Sequence, residues 1–193
     1  IMPTRDWKKK SLNEDWFDGD TVNASIGQGF VLSTPLQLAV MTARIASRGK
    51  MVEPRLVKAI DGIEEPRNQI TENINIDSEH WDLGHQAMSD VVHSPKGTAY
   101  KISEGLTYQM AGKTGTAQVI SIHADEEYDK ERISARQWDH ALFIAFAPSE
   151  NPKIALALIV ENGGHGSVTA APLARLVIDE YMKTSASQDL AQW

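Results

Sequence analysis

Two nearly continuous apolar runs, Ala141–Ala147 and Ile154–Val160, are separated only by the connection Pro148-Ser149-Glu150-Asn151-Pro152 and Lys153. A link this short, rich in turn residues, joins neighbouring strands and makes them antiparallel. The spacing predicts strands over His140–Ala147 and Lys153–Glu161. Neither alternates apolar with polar residues, so both sheet faces need cover. At 193 residues the chain is long enough to supply it. Both runs are far short of the ~20 apolar residues that span a bilayer.

The rest of the sequence predicts where that cover comes from. Gln109–Ile120 reads as a third strand, with a charged insertion at 121–137 before the next. Thr34-Pro35-Leu36-Gln37 combines an N-cap Thr, Pro at the first helical position and Gln three residues on, a capping box. Leu36, Ala39, Val40, Ala43 and Ala46 follow at helical spacing, and Gly49 stops the helix. A second helix begins near Ser78, carries Trp81, Met88, Val91 and Val92 on one side, and ends at Ser94-Pro95 and Gly97. Thr98–Ile102 forms a short helical turn. A closing helix over Thr169–Lys183 offers Leu173, Leu176, Val177 and Tyr181 as its inward stripe. Residues 51–60 read as an edge strand, because Pro54 cannot donate to a ladder, and Asp61-Gly62 as a turn. Residues 1–25 read as a solvated irregular stretch with segregated charge. The fold class is α+β: an antiparallel sheet covered by helices.

Composition excludes several functions. Nineteen Lys and Arg against 26 Asp and Glu give a net charge of −7, which argues against nucleic acid as a partner. The absence of Cys removes disulfides, thiol catalysis and thiolate metal sites. Six His occur at 80, 85, 93, 123, 140 and 165, with no i, i+4 helical pair and no HExxH, so no metal site is expected. Gly112-Lys113-Thr114 imitates the end of a phosphate loop, but Thr107 stands where its first Gly belongs and a β-type run follows. Gly27 and Gly29 begin a GxGxxG pattern that fails at Leu32.

Read one residue later, the same stretch is Lys113-Thr114-Gly115, the K-[ST]-G element of serine acyl-transfer enzymes. On a strand, Lys113 and the hydroxyls of Thr114 and Thr116 can hold a carboxylate along the wall of a cleft, and Gly115 lets a substrate approach the backbone. An outward backbone N–H can meet a developing oxyanion. The tripeptide alone is weak, since roughly one chain in ten of this length contains one by chance.

Order along the chain makes it stronger. Asp20-Thr21-Val22, Gly27-Gln28-Gly29 and Ser33-Thr34-Pro35-Leu36-Gln37-Leu38-Ala39 resemble segments of class B penicillin-binding transpeptidases. Gly97-Thr98-Ala99 and Gly112–Val119 resemble that family's GTA and KTGTAQV elements, and Asp139–Pro148 with Asn151–Gly164 its last two strands and the following loop. Met2-Pro3-Thr4-Arg5-Asp6-Trp7 resembles the family member that works in cell elongation. The resemblance implies a penicillin-binding, serine β-lactamase-like fold, here incomplete, with no cofactor and no metal. It assigns Lys113 a catalytic part, pinning the substrate carboxylate and tuning the proton relay. Thr114, Gly115 and Thr116 become substrate-binding, with the Thr116 N–H half of an oxyanion hole.

The implied reaction is attack of a serine on a D-Ala-D-Ala stem peptide of a cell-wall precursor, release of D-Ala, and transfer of the acyl group to a neighbouring amine. β-Lactams mimic the donor. A β-lactamase or D,D-carboxypeptidase of the same fold, or a non-catalytic interaction module, are the alternatives. The family places the enzyme at the periplasmic face of the cytoplasmic membrane, held by an anchor upstream, with the cell-elongation machinery as partner.

The family's S-x-x-K and S-x-N elements are not convincingly present. Ser47-Arg48-Gly49-Lys50 spans a helix stop, Ser11-Leu12-Asn13 lies in a polar stretch, and Ser149-Glu150-Asn151 lies in a turn. In the family both elements precede the segment matched by Met2–Trp7. The expectation is therefore the C-terminal part of a single transpeptidase domain over 1–193, inactive alone, whose last strand lacks its upstream neighbours and invites self-association at that edge.

Overall fold

The computed structural model describes residues 1–64, 73–119 and 134–190, side chains being described as far as Thr184. The predicted charged insertion lies mostly outside these residues. The chain runs α1 (Arg5–Leu12), α2 (Asp18–Ser25), α3 (Pro35–Ala46), β1 (Ala59–Ile60), β2 (Ile63–Glu64), α4 (Ser78–His93), a 3-10 turn (Tyr100–Ser103), β3 (Ala111–Ala117), a second 3-10 turn (Ala135–Gln137), β4 (His140–Ala147), β5 (Ile154–Val160) and α5 (Ala170–Leu190). No helix among the described residues is long and apolar enough to cross a membrane.

The main sheet has the order β3-β4-β5, antiparallel throughout. β4 sits in the middle and its side chains alternate between two cores. Ala141, Phe143, Ala145 and Ala147 face Ala170, Ala171, Ala174 and Ile178 of α5. Phe146 faces the other way, against Ala46 of α3 and Ala111. The expected cover on both faces is present. β5, at the edge, is half-buried along its whole length, and its outer side is unpaired among the described residues.

The α3 capping box forms as read. Thr34 Oγ1 accepts from the Gln37 N–H at 3.2 Å, and Gln37 Oε1 accepts from the Thr34 N–H at 2.9 Å. His85 of α4 ties the two helices on that face together. Its Nε2 lies 2.7 Å from the Ile45 carbonyl oxygen, and its ring packs 5.0 Å from Phe146.

Three expectations need correction. Residues 1–25 are not irregular but form α1 and α2. Lys8, 2% exposed, joins them by an ion pair to Asp20 at 2.7 Å and lies over the rings of Phe17 and Phe30. A cation paired and stacked in this way is what segregated charge cannot reveal. The strand expected over 51–60 shrinks to Ala59–Ile60, which pairs with Ile63–Glu64 around Asp61-Gly62. Both turn residues have positive φ, 50° and 82°, as a tight hairpin turn requires. The stripe assigned to α5 faces outward: Leu173 is 43% exposed and Leu176 63%, while the alanines and Ile178 are buried. Small residues let α5 lie close on a sheet already filled by Phe143.

Candidate functional site

β3 carries Ala111-Gly112-Lys113-Thr114-Gly115-Thr116-Ala117, paired to β4 with Lys113 opposite Ile144, Thr114 opposite Phe143 and Gly115 opposite Leu142. Directly opposed side chains share a face. Thr114 and Thr116 therefore lie on the α5 face and Lys113 on the α3 face. Gly112 is a steric necessity. A Cβ on Gly112 would stand 2.6 Å from Cζ of Phe143 and 2.9 Å from the Ile144 carbonyl oxygen, so Gly112 is the slot that Phe143 fills.

β3 is an edge strand, and the direction of its backbone groups follows from its start. The Gln109 carbonyl accepts from the Ser149 N–H at 2.9 Å, toward the β4 side. The Met110 N–H points away and donates to His93 Nε2 at 3.1 Å, which leaves the His93 proton on Nδ1. Backbone groups alternate sides along an antiparallel strand, so Gly112, Thr114 and Thr116 present their N–H and C=O at the open edge.

The other sequence motifs converge on that edge. Thr98 Oγ1 lies 2.9 Å from Thr114 Oγ1. Gln28 Nε2 donates to the Thr116 carbonyl at 2.9 Å across 88 residues of sequence. Lys113, exposed, curls its Nζ back to donate to the Thr114 carbonyl at 2.8 Å. Thr98 is positioned by a tight exit from α4: the Ala99 N–H donates to the Val91 carbonyl at 3.0 Å. Any side chain on Gly97 would collide with the carbonyls of Asp90 and Val91. Gln28 is presented between Gly27 and Gly29, whose φ values of 76° and 68° only glycine adopts without strain.

The start of β4, with the residues just before it, and the loop after β5 close the site from the side. The Asn162 N–H donates to His140 Nδ1 at 2.9 Å, and its carboxamide donates to the Arg136 and Trp138 carbonyls at 2.8 Å each. The Gly164 N–H donates to the Asp139 carbonyl at 2.8 Å. Gly166 then lies against the backbone of Gly115 and Leu142, with no room for a Cβ.

The structure thus gathers Lys113, Thr114, Gly115 and Thr116 on one open edge and adds Thr98, Gln28 and Gly166. The GTA and GQG triplets flagged the first two, though not what they would touch. Nothing in the sequence flagged Gly166. The literal serine motifs lie elsewhere. Ser47 Oγ caps the end of α3 by donating to the Ala43 carbonyl at 2.8 Å. Ser11 lies in the last turn of α1, which Asn13 closes as a left-handed C-cap. Ser149 lies in the β4–β5 turn.

Residues 6–179 match the family described as penicillin binding protein transpeptidase domain. The peptidoglycan D,D-transpeptidase MrdA of Haemophilus influenzae is 40% identical over 191 residues, covering 97% of this chain and 29% of that enzyme. Pseudomonas aeruginosa PBP2, solved in complex with WCK 5153, superposes with a TM-score of 0.80 at 41% identity, covering 94% of this chain and 36% of that one. PBP2 of Helicobacter pylori in its complex with MreC gives a TM-score of 0.72 at 29% identity over 94% of this chain and 31% of that one. The chain therefore spans about a third of the length of the relatives it matches.

Proposed function

The chain belongs to the penicillin-binding protein transpeptidase family, and on that premise we propose that it forms the C-terminal part of a peptidoglycan D,D-transpeptidase domain. It contributes the Lys-Thr-Gly wall of the site, and the nucleophilic serine comes from sequence outside this chain. The observation that carries this reading is the meeting of Thr98, Gln28 and β3 at one open strand edge.

In that role the Lys113 ammonium and the hydroxyls of Thr114 and Thr116 bind the terminal carboxylate of a D-Ala-D-Ala donor peptide. A cation with flanking hydroxyls satisfies the carboxylate lone pairs with charge-assisted hydrogen bonds. The outward N–H of Thr116 is placed to stabilise the oxyanion as the serine attacks. Gly115, backed by Gly166, keeps the wall bare enough for the peptide to lie against it. D-Ala then leaves, and an amine of a neighbouring stem peptide takes the acyl group. β-Lactams enter the same site as donor mimics.

By the same reading the whole protein faces the periplasm from an upstream membrane anchor. The H. pylori complex with MreC supports a partner in the cell-elongation machinery. The open outer edge of β5 is where further strands would join, and in this chain alone it favours self-association; size-exclusion chromatography over the micromolar range reads that directly.

The deciding experiment labels this chain and the full-length gene product with a fluorescent penicillin. Covalent label on the longer protein alone is expected. Label on this chain by itself would place a nucleophile within it, and label on neither folded protein would overturn the transpeptidase reading.

A further inference from the structure

The open edge of β3 is capped by the chain's own side chains. Of its outward carbonyls, Thr114 accepts from Lys113 Nζ at 2.8 Å and Thr116 from Gln28 Nε2 at 2.9 Å. An extended peptide adding to a strand edge donates its own amide N–H groups to such carbonyls. Resting on the reading of this edge as the ligand wall, we propose that Gln28 is a placeholder: its carboxamide occupies the position of a ligand amide N–H on the Thr116 carbonyl and yields it when a peptide-like ligand binds.

Three features support a placeholder over a simple strut. First, Gln28 comes from a turn whose backbone is independently fixed, since the Gln28 N–H donates to the Asn23 carbonyl at 2.9 Å and glycines flank it. The side chain can therefore swing without the turn moving. Second, the bond is made by a side chain to an edge carbonyl at the far end of β3, where Thr116 and Ala117 are already held by pairing with Ala141 and His140. Strand geometry does not depend on it. Third, a neutral carboxamide N–H is the chemical equivalent of a peptide N–H, whereas the neighbouring cap on Thr114 is a cation. The two caps thus differ in what replaces them: an amide at Thr116, and release of Lys113 toward a carboxylate at Thr114. Gln28 becomes a specificity-determining residue, setting the cost that a ligand must offset with an amide of its own.

The test uses the full-length protein, with Gln28→Met, which keeps the size and loses the donor, and Gln28→Glu, which replaces the donor by an acceptor. Second-order acylation rates are measured with a penicillin bearing an acylamino side chain, which presents one amide N–H, and with a carbapenem, which presents none. Both variants are expected to raise the penicillin acylation rate relative to the carbapenem rate about two- to tenfold, the range of one net hydrogen bond. Equal changes with both probes, or slower acylation by the penicillin relative to the carbapenem, would overturn the placeholder. Failure of the wild-type protein to label with either probe would overturn the transpeptidase reading beneath it as well.

Discussion

The hydroxyl groups of Thr98 and Thr114 lie 2.9 Å apart, so the turn that leaves α4 is joined to the middle of the edge strand by an exposed hydrogen bond. One partner belongs to the GTA triplet and the other to the Lys-Thr-Gly strand. If Thr98 serves to orient the Thr114 hydroxyl, then Thr98→Val costs little stability and much function. The lost bond is exposed, so denaturant unfolding of this chain is expected to change by no more than about 1 kcal/mol. Penicillin acylation of the full-length protein is expected to slow roughly tenfold, since a misplaced positioning group weakens the transition state more than the fold. Thr98→Ser, which keeps the hydroxyl, should restore the rate.

Lys113 separates function from stability more sharply. It is exposed, and among the described residues its Nζ donates to the neighbouring Thr114 carbonyl. Lys113→Met is expected to unfold within about 0.5 kcal/mol of the parent, as surface changes do. Acylation of the full-length protein should fall by about 100-fold or more, because an uncharged residue gives the substrate carboxylate no cation. A labelling rate equal to wild type would remove Lys113 from the site.

Gly166 is the opposite case, a residue with no chemistry whose absence of a side chain is structural. Gly166→Ala forces a Cβ onto the carbonyls of Leu142 and Gly115. Something must move, at a cost of about 1–3 kcal/mol typical of overpacking. The movable element is the loop after β5, which lies beside the edge strand. Lowered stability together with slower acylation is expected. An unchanged melting curve would show that the loop does not lie against Gly115 in solution.

The elements most legible in the sequence were those fixed by local chemistry. The capping box at Thr34, the strands on either side of the Pro148–Pro152 connection and the Asp61-Gly62 turn are set by residues within a few positions of one another. What failed depended on partners far away. Size selects Leu173 and Leu176 for the inward stripe of α5, but the sheet has space only for Ala170, Ala171 and Ala174 beside Phe143. Residues 1–25 look solvated until Lys8 meets Asp20 and two rings. The site divides the same way. Lys113 to Thr116 stand in one strand and were legible as a motif. The bonds from Gln28 and Thr98, and the bare approach of Gly166, span 16 to 88 residues or join separate loops, and no local pattern records them.

The Lys8–Asp20 pair, with Lys8 buried and Asp20 partly so, ties stability of the α1–α2 unit to pH at both ends. Hydrogen bonds from Lys8, at 2.7 Å, and from the Phe17 N–H, at 2.8 Å, hold the Asp20 carboxyl below its ordinary value of 3.8. A depressed carboxyl contributes stability that is complete above that ordinary value and is lost as pH falls through the lower folded one. The same bond to Asp20 holds Lys8 above its ordinary 10.5, so its contribution is complete below 10.5 and is lost as pH rises through the raised value. The unit is therefore most stable between those two ordinary values, 3.8 and 10.5, and loosens beyond each of them. Trp7, packed 5.5 Å from Phe30, and Trp16, whose Nε1 donates to Thr21 at 2.8 Å, report from inside it by fluorescence. Asp20→Asn removes the carboxyl that shifts with acid and the partner that raises Lys8, so the variant should melt earlier at neutral pH and show flatter limbs on both sides. A variant whose pH profile keeps the parent's shape would mean that the Lys8–Asp20 pair does not govern the unit.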